Sequence, residues 1–186
     1  LPGHENNCFL TYIWIDGTGE NLRSKIKVYK KGEPTSIKDV GVWGFDGSST
    51  YQATGDHSDL NLVPVAMCPD PFNPGKSKLV MCEVYDQQGN PAATNKRASA
   101  IDAIERTKDQ EPCYGFEQEF TLLDINNMRR PLGFPHEGFP EPQGPYYCSA
   151  GAGWSVGRDI SDSHIKACAY AGLSLWGTNA EVMPGQ

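Results

Sequence analysis

Excess basic charge is missing from this sequence, and with it any case for a polyanionic partner. Sixteen Lys and Arg residues stand against 23 Asp and Glu, a formal net charge of −7, whereas phosphate backbones are bound by clustered cationic side chains. The concentrated basic stretch, KIKVYKK from Lys25 to Lys31, alternates with Ile26 and Val28 and reads as the solvated face of a strand. No nucleic acid partner is expected. Long apolar runs, a signal peptide and Asn-x-Ser/Thr acceptors are also absent, so no membrane role is expected and the chain is taken as soluble and cytoplasmic. Six cysteines, at 8, 68, 82, 113, 148 and 168, form no C-x-x-C pair. Nor do they take zinc-ligand spacing with His4, His57, His136 or His164. Cys82 and Cys148 lie in apolar runs and are expected to be buried free thiols of a reducing compartment.

What is present suffices for a core, since 38% of the 186 residues are hydrophobic and 10% aromatic, enough for one large or two small domains. Short alternating runs at Tyr12 to Ile15, Lys25 to Tyr29, Leu60 to Met67 and Leu79 to Tyr85 predict strands. Turn clusters separate them: Asp16-Gly17-Thr18-Gly19, Lys31-Gly32-Glu33-Pro34 and the Pro/Gly-rich segment from Pro69 to Gly75. Gln87 to Pro91 reads as a linker. From Arg97 the spacing of Ala98, Ile101, Ile104 and Glu105 is helical. A strand at YGFEQEF (114–120), a Gly/Pro-rich excursion from Met128 to Pro145 and a strand at Tyr146 to Cys148 are predicted next. A helix over about 158–172 follows, opened by Asp159 or Ser161, closed by Gly172, with Ile160, Ile165, Cys168 and Ala169 inward. The last predicted strand is LSLWGTNAEVM, Leu173 to Met183. A beginning at Leu1 and an end at Gln186 without a terminal helix suggest a piece of something longer.

YGFEQEF is unusual because an alternating strand places Tyr114, Phe116, Gln118 and Phe120 on one face and Glu117 and Glu119 on the other. Two residues of strand rise set the glutamates roughly 7 Å apart. Like charges on one face repel unless a cation intervenes, and oxygen donors suit Mg²⁺ or Mn²⁺. Glu181, in a second apolar run, is a candidate third member. Asp46 stands between aromatic residues and a glycine turn in WGFDGSST, as a turn residue or as a cation-binding or proton-accepting group. Two phosphate-loop lookalikes fail: Asn73 to Ser77 ends in G-K-S with Asp70 where the first glycine belongs. Gly151 to Gly157 is one residue too long for a dinucleotide fingerprint and reads as a loop.

Together YIWIDGTGENLRSK, WGFDGSSTYQATGDHSDLNLVPVAM, GFEQEFTLL and GFPEPQGPYYCSAGA, followed by GRDI and GTNAEVMPGQ, resemble the glutamine synthetases of the eukaryotic type, in that family's order and over nearly the whole chain. The resemblance implies an α+β fold. A β-grasp domain would span 6–89, and residues 96–186 would form the first part of an antiparallel-sheet catalytic domain. It also implies ATP as co-substrate, L-glutamate and ammonium as substrates, two or more Mg²⁺ or Mn²⁺ ions per site, and a ring of identical subunits, a decamer of two pentameric rings. Glu117 would hold one cation beside the nucleotide; Glu119 and Glu181 would hold another near glutamate. Asp46 would bind and deprotonate ammonium in the neighbouring subunit's site.

The implied reaction is phosphorylation of the glutamate side chain by ATP, then displacement of phosphate by ammonia. Cys113 departs from a tryptophan usual before the acidic strand, Phe120 from a tyrosine, and Ser149-Ala150 from a more glycine-rich pair. Family features expected beyond Gln186 are a Trp-Glu pair, a metal-binding histidine, arginines for substrate and phosphate, and a flap. The 186-residue segment alone is therefore expected to be inactive. Two rivals remain, a non-catalytic relative that keeps the ring as a structural protein and a ligase joining glutamate to a larger amine.

Overall fold

A computed structural model describes residues 7–127 and 129–186; His4, and Met128 at the start of the expected excursion, lie outside them. Contacts divide the chain into two units, Leu1–Cys113 and Tyr114–Gln186.

In the first unit β1 (Cys8–Ile15), β2 (Leu22–Tyr29), β3 (Trp43–Asp46), β4 (Asp59–Pro69) and β5 (Lys78–Tyr85) form one sheet in the order β2-β1-β5-β4-β3. β1 and β5 run parallel at its centre and every other pair is antiparallel. Alternation decides the inward face: Cys8, Leu10, Tyr12 and Trp14 of β1, Leu60 and Leu62 of β4, and Val80, Cys82 and Val84 of β5 are buried. Ile37 and Val40 from the β2–β3 crossover, with Ala53 and Ala92, complete that core. Pro64, which removes a ladder donor, stands at a register break in β4, the place a strand tolerates proline. Thus the β-rich unit expected from the sequence is present, with β3 added leading into the Asp46-Gly47-Ser48-Ser49 turn, from residues to which no strand was assigned.

β2 departs from expectation. Its lysines are not the solvated face: Lys25 and Lys27 are half-buried, while Ile26 and Val28 are 58% and 49% exposed. The cause is Trp43, whose ring collects the Lys25 Nζ at 3.6 Å and the Lys27 Nζ at 5.5 Å from its centroid. Lys25 also donates to the Gly44 carbonyl at 2.7 Å. Lysine stems cover apolar surface while their ammonium groups meet an aromatic face. Leu22, Ile26 and Val28, with Ile15 across the ladder, are left as an exposed apolar stripe on the other face.

The turn at Asp70 explains the failed phosphate loop. Its buried carboxylate accepts from the Phe72 and Asn73 amides and from the Asn73 side chain, and its own amide donates to Ser77. The acid builds the turn from inside, where a phosphate loop needs open backbone amides. The expected linker closes as a turn, with Asp86 accepting from the Gln88 and Asn90 amides. After it α1 (Lys96–Thr107), capped by Asn95, is tied to β5 by an Arg97–Glu83 ion pair at 3.0 Å. α1 therefore belongs with the sheet, and the contact boundary at Cys113 differs from the break near 89–96 read in the sequence.

In the second unit α2 spans Arg158–Tyr170, and β6 (Leu123–Asp124) pairs with β7 (Arg130–Pro131). α2 opens from Gly157, at φ +73, where a Cβ would lie 2.3 Å from Leu122 Cδ1. Neither Asp159 nor Ser161 is the cap. Ile165 and Cys168 are half-buried, but Ile160, expected inward, is 49% exposed and Ala169 is exposed too. The strands expected at 114–120, 146–148 and 173–183 do not form. Their backbones make only scattered bonds, such as Cys148 N–H to Ala180 O and Glu181 N–H to Gln186 O, and a strand exists only through a ladder. Cys148, expected buried, is exposed in the left-handed region at φ +52, whereas Cys82 is buried as expected.

Candidate functional site

Asp46 ends β3 and caps the 3₁₀ turn Gly47–Thr50. Its exposed carboxylate is gripped by its own turn: Oδ1 accepts from the Ser48 amide at 3.0 Å and the Ser48 hydroxyl at 2.6 Å, and Oδ2 from the Ser49 hydroxyl at 2.5 Å. The Ser48 hydroxyl, then that of Ser49, holds the carboxyl below the ordinary aspartate value of 3.8. It stays an anion at every physiological pH. Asp59 is its cross-strand partner on the same face, and like charges opposed on a ladder favour a cation near them. A Cβ on Gly47 would lie 2.4 Å from Leu60 Cδ1, so a larger residue there would have to displace that buried leucine.

The three glutamates belong to the second unit. Glu119 Oε2 accepts from the Gln186 side-chain amide at 2.9 Å, the Glu181 amide donates to the Gln186 carbonyl at 2.9 Å, and Glu181 Oε1 accepts from Asn179 at 3.0 Å. Glu119 and Glu181 thus share Gln186 as a neighbour. The exposed Tyr147 phenol is raised above its ordinary 10.0 by Cys148, by Glu181 and by Glu117, so the last two lie within electrostatic range of one ring. Among the described residues no group of three or more His, Cys, Asp or Glu side chains is placed to hold a metal ion. The carboxylate oxygens have the right chemistry for a hard cation, but the expected platform is not assembled here, because the strand pairing that would align Glu117, Glu119 and Glu181 is absent. Of the arginines, Arg130 donates to the His136 and Gly138 carbonyls, and Arg158 pairs with Asp162 and donates to the Ser149 carbonyl. Both guanidinium groups have protein partners.

Sequence reasoning singled out Asp46 but missed its supports. Gln52 lies inside the WGFDGSSTYQATG stretch but was not singled out there, being uncharged, and its side chain bonds four separate groups around the Asp46 turn. Glu83 was missed too. This buried acid accepts from the Tyr85 hydroxyl at 2.7 Å and pairs with Arg97; an acid within the LVMCEVY strand was the available cue.

No helix among the described residues is long and apolar enough to cross a membrane. Residues 6–87 match the family described as glutamine synthetase, beta-Grasp domain. The chain is 53% identical over 182 residues to "Glutamine synthetase 1, mitochondrial" of Drosophila melanogaster, covering 97% of this chain and 45% of the relative. It is 50% identical over all 186 residues to "Glutamine synthetase 2 cytoplasmic" of the same fly, 50% of that relative. It is also 50% identical over 175 residues to "Glutamine synthetase" of Bos taurus, covering 94% of this chain and 46% of that relative. The chain spans about half the length of these curated relatives. Likeness at this level runs on past the β-grasp match to residues that carry Glu117, Glu119 and Glu181, and on that continuity the chain belongs to the glutamine synthetase family, matching its N-terminal portion.

Proposed function

We propose that this polypeptide is part of a glutamate–ammonia ligase, which joins ammonia to L-glutamate at the expense of ATP through a γ-glutamyl phosphate. The observation that carries the reading is the Asp46 turn: an exposed carboxylate, fixed by two serine hydroxyls and one amide and held ionised, set in a chain about half identical to glutamine synthetases throughout.

Asp46 is proposed to attract ammonium and take its proton. Its lowered pKa makes it a strong anchor for the cation and a weak proton acceptor, so free ammonia would be a minor, transient species beside it. That suits a site where the acyl phosphate waits: ammonia attacks the acyl carbon, the C–N bond forms, phosphate leaves with the C–O bonding pair and takes the proton shed by the new amide nitrogen, and Asp46 passes the proton it took from ammonium to water. Serine hydroxyls that grip the carboxylate keep it aimed without neutralising it. Glu117, Glu119 and Glu181 are proposed as this chain's share of the ligands for Mg²⁺ or Mn²⁺, which when bound would offset phosphate charge.

A ring of identical subunits goes with this reading. The apolar stripe of Leu22, Ile26 and Val28 supports it, since contiguous exposed apolar surface marks association surfaces. The relatives' named compartments differ, one mitochondrial and one cytoplasmic; the cytoplasm is the proposal for this protein. The test is an assay of the full-length subunit for ammonium-, glutamate-, ATP- and Mg²⁺-dependent glutamine formation, with one ADP per glutamine. An assembled ring without turnover would favour a structural relative. Turnover only with a larger amine would favour the related ligase.

A further inference from the structure

The geometry points to Gln52 as a positioning residue that braces the Asp46 turn against both the end of β1 and the segment leading into α1. Its Oε1 accepts from the Thr50 hydroxyl at 2.8 Å and from the Trp14 indole N–H at 3.2 Å. Its Nε2 donates to the Thr94 hydroxyl at 3.0 Å and to the Ile15 carbonyl at 3.4 Å. An amide has two acceptor sites and two donors, and here all four are used, each on a different residue. The backbone contributes as well, for the Gln52 and Ala53 amides both donate to the Gly47 carbonyl. Three segments distant in sequence therefore meet at one half-buried side chain, two residues beyond the turn that holds Asp46.

The neighbouring contacts leave that turn little freedom. The Gly17 amide donates to the Thr50 carbonyl at 2.8 Å, and Tyr51 is held in the left-handed region at φ +61. On the far side the Gly47 amide donates to the Ser58 carbonyl at 2.7 Å. Ser48 and Ser49 can grip Asp46 only while Gly47–Thr50 keeps its 3₁₀ form, and Gln52 ties the end of that turn to β1. Thr94 adds a second consequence: the segment before α1 is connected through a single amide to the presentation of Asp46. A side chain that acts this way touches no substrate, yet it sets the direction and basicity of the group that would.

The deepest part of this inference, an effect on ammonium use, rests on the reading of Asp46 given above; the brace itself does not. Both are tested with Gln52→Leu, which removes all four bonds and shortens the side chain by one carbon, and with the milder Thr94→Val, which keeps the shape and removes one. In the 186-residue chain the Asp46 carboxyl is titrated by carbon-detected NMR, with Val40→Ala as a control that loosens the core away from the turn. The Ser48 hydroxyl, then that of Ser49, grips wild-type Asp46, which is expected to titrate below 3.8. Gln52→Leu is expected to move its midpoint up toward that value, Thr94→Val to move it part of the way, and Val40→Ala to leave it in place. A folded Gln52→Leu with an unshifted Asp46 overturns the brace. Should Gln52→Leu fail to fold, an unshifted Thr94→Val overturns it equally. In the full-length subunit Gln52→Leu is expected to raise the KM for ammonium roughly tenfold with the KM for glutamate unchanged, a tenfold change corresponding to about 1.4 kcal/mol. An NMR shift without that KM split would leave the brace standing and overturn the role given to Asp46.

Discussion

Asp46 carries the sharpest residue-scale expectation because its charge and its geometry can be separated. Asp46→Asn keeps the shape and an oxygen to accept from Ser48, while its amide nitrogen would face the Ser49 hydroxyl as a donor; it neither attracts ammonium nor takes its proton. In the full-length subunit we expect glutamine formation to fall about 10²–10⁴-fold, with glutamate-dependent phosphoryl transfer much less affected; equal loss in both half-reactions would make the turn merely structural. Gly17 is a second single-residue test. A Cβ there would lie 1.9 Å from the Tyr51 carbonyl oxygen, a backbone atom that cannot swing aside. Gly17→Ala should cost about 1–3 kcal/mol, the usual range for overpacking, measured by urea unfolding; a change under a few tenths would mean that the two turns separate freely. Gly17 was legible only as a turn residue, since the approach of Tyr51 from 34 positions away leaves no trace in local sequence. Asp46 was legible because an acid beside a glycine turn and between aromatic residues is unusual chemistry wherever it folds.

Elements divided by whether their partner lay nearby in the same unit. The strands of the β-grasp sheet were readable because alternation selects a buried face, and Leu10, Tyr12, Leu62 and Val80 are now fully buried. β2 was readable as a strand yet not by face, because one tryptophan on a neighbouring element makes lysines the better inward residues. The run at 114–120 has the same alternation, but periodicity says what a strand would bury and cannot supply the ladder. Turns in the β-grasp unit share another feature, acids that accept from their own loops. Backbone and hydroxyl donors of Ser36 and Thr35 lower the Asp39 pKa; the Thr18 hydroxyl, then the Thr18 amide and Arg23, lower that of Asp16; and Asn90 lowers that of Asp86. Folded values below the ordinary 3.8 mean that this stabilisation is complete above about 3.8 and is lost as pH falls through the folded values. The urea midpoint should therefore hold from neutrality to near pH 4 and drop below it. A midpoint that stays flat down to pH 2 would remove these acids from the stability of the turns.

At the scale of the whole molecule the two units differ in how much they bury, and that difference sets the final expectation. The β-grasp unit encloses a continuous core of ten buried residues. In the second unit Tyr146, Ala171 and Pro184 are buried, while Phe116, Phe139 and Trp176 are 89%, 86% and 103% exposed. Few packing contacts hold Glu117, Glu119 and Glu181 to one another, and phosphoryl transfer depends almost wholly on positioning and electrostatic stabilisation. Each missing donor to a developing charge typically costs about 10²–10³-fold. Arg130 and Arg158, the cations that phosphate would call on, are committed to carbonyls and to Asp162. We therefore expect the 186-residue chain alone to form no glutamine above background in the presence of ATP, Mg²⁺, glutamate and ammonium. The control is the same assay after mixing with a full-length subunit carrying Asp46→Asn, whose own β-grasp unit cannot supply the carboxylate. If Asp46 acts in a neighbour's site, added chain should restore activity in proportion to its incorporation into the ring. Turnover by the isolated chain, at an intact mass of 20.4 kDa, would instead require Arg129, Arg130 or Arg158 to leave their present surroundings and serve phosphate, and would overturn the division of labour argued here.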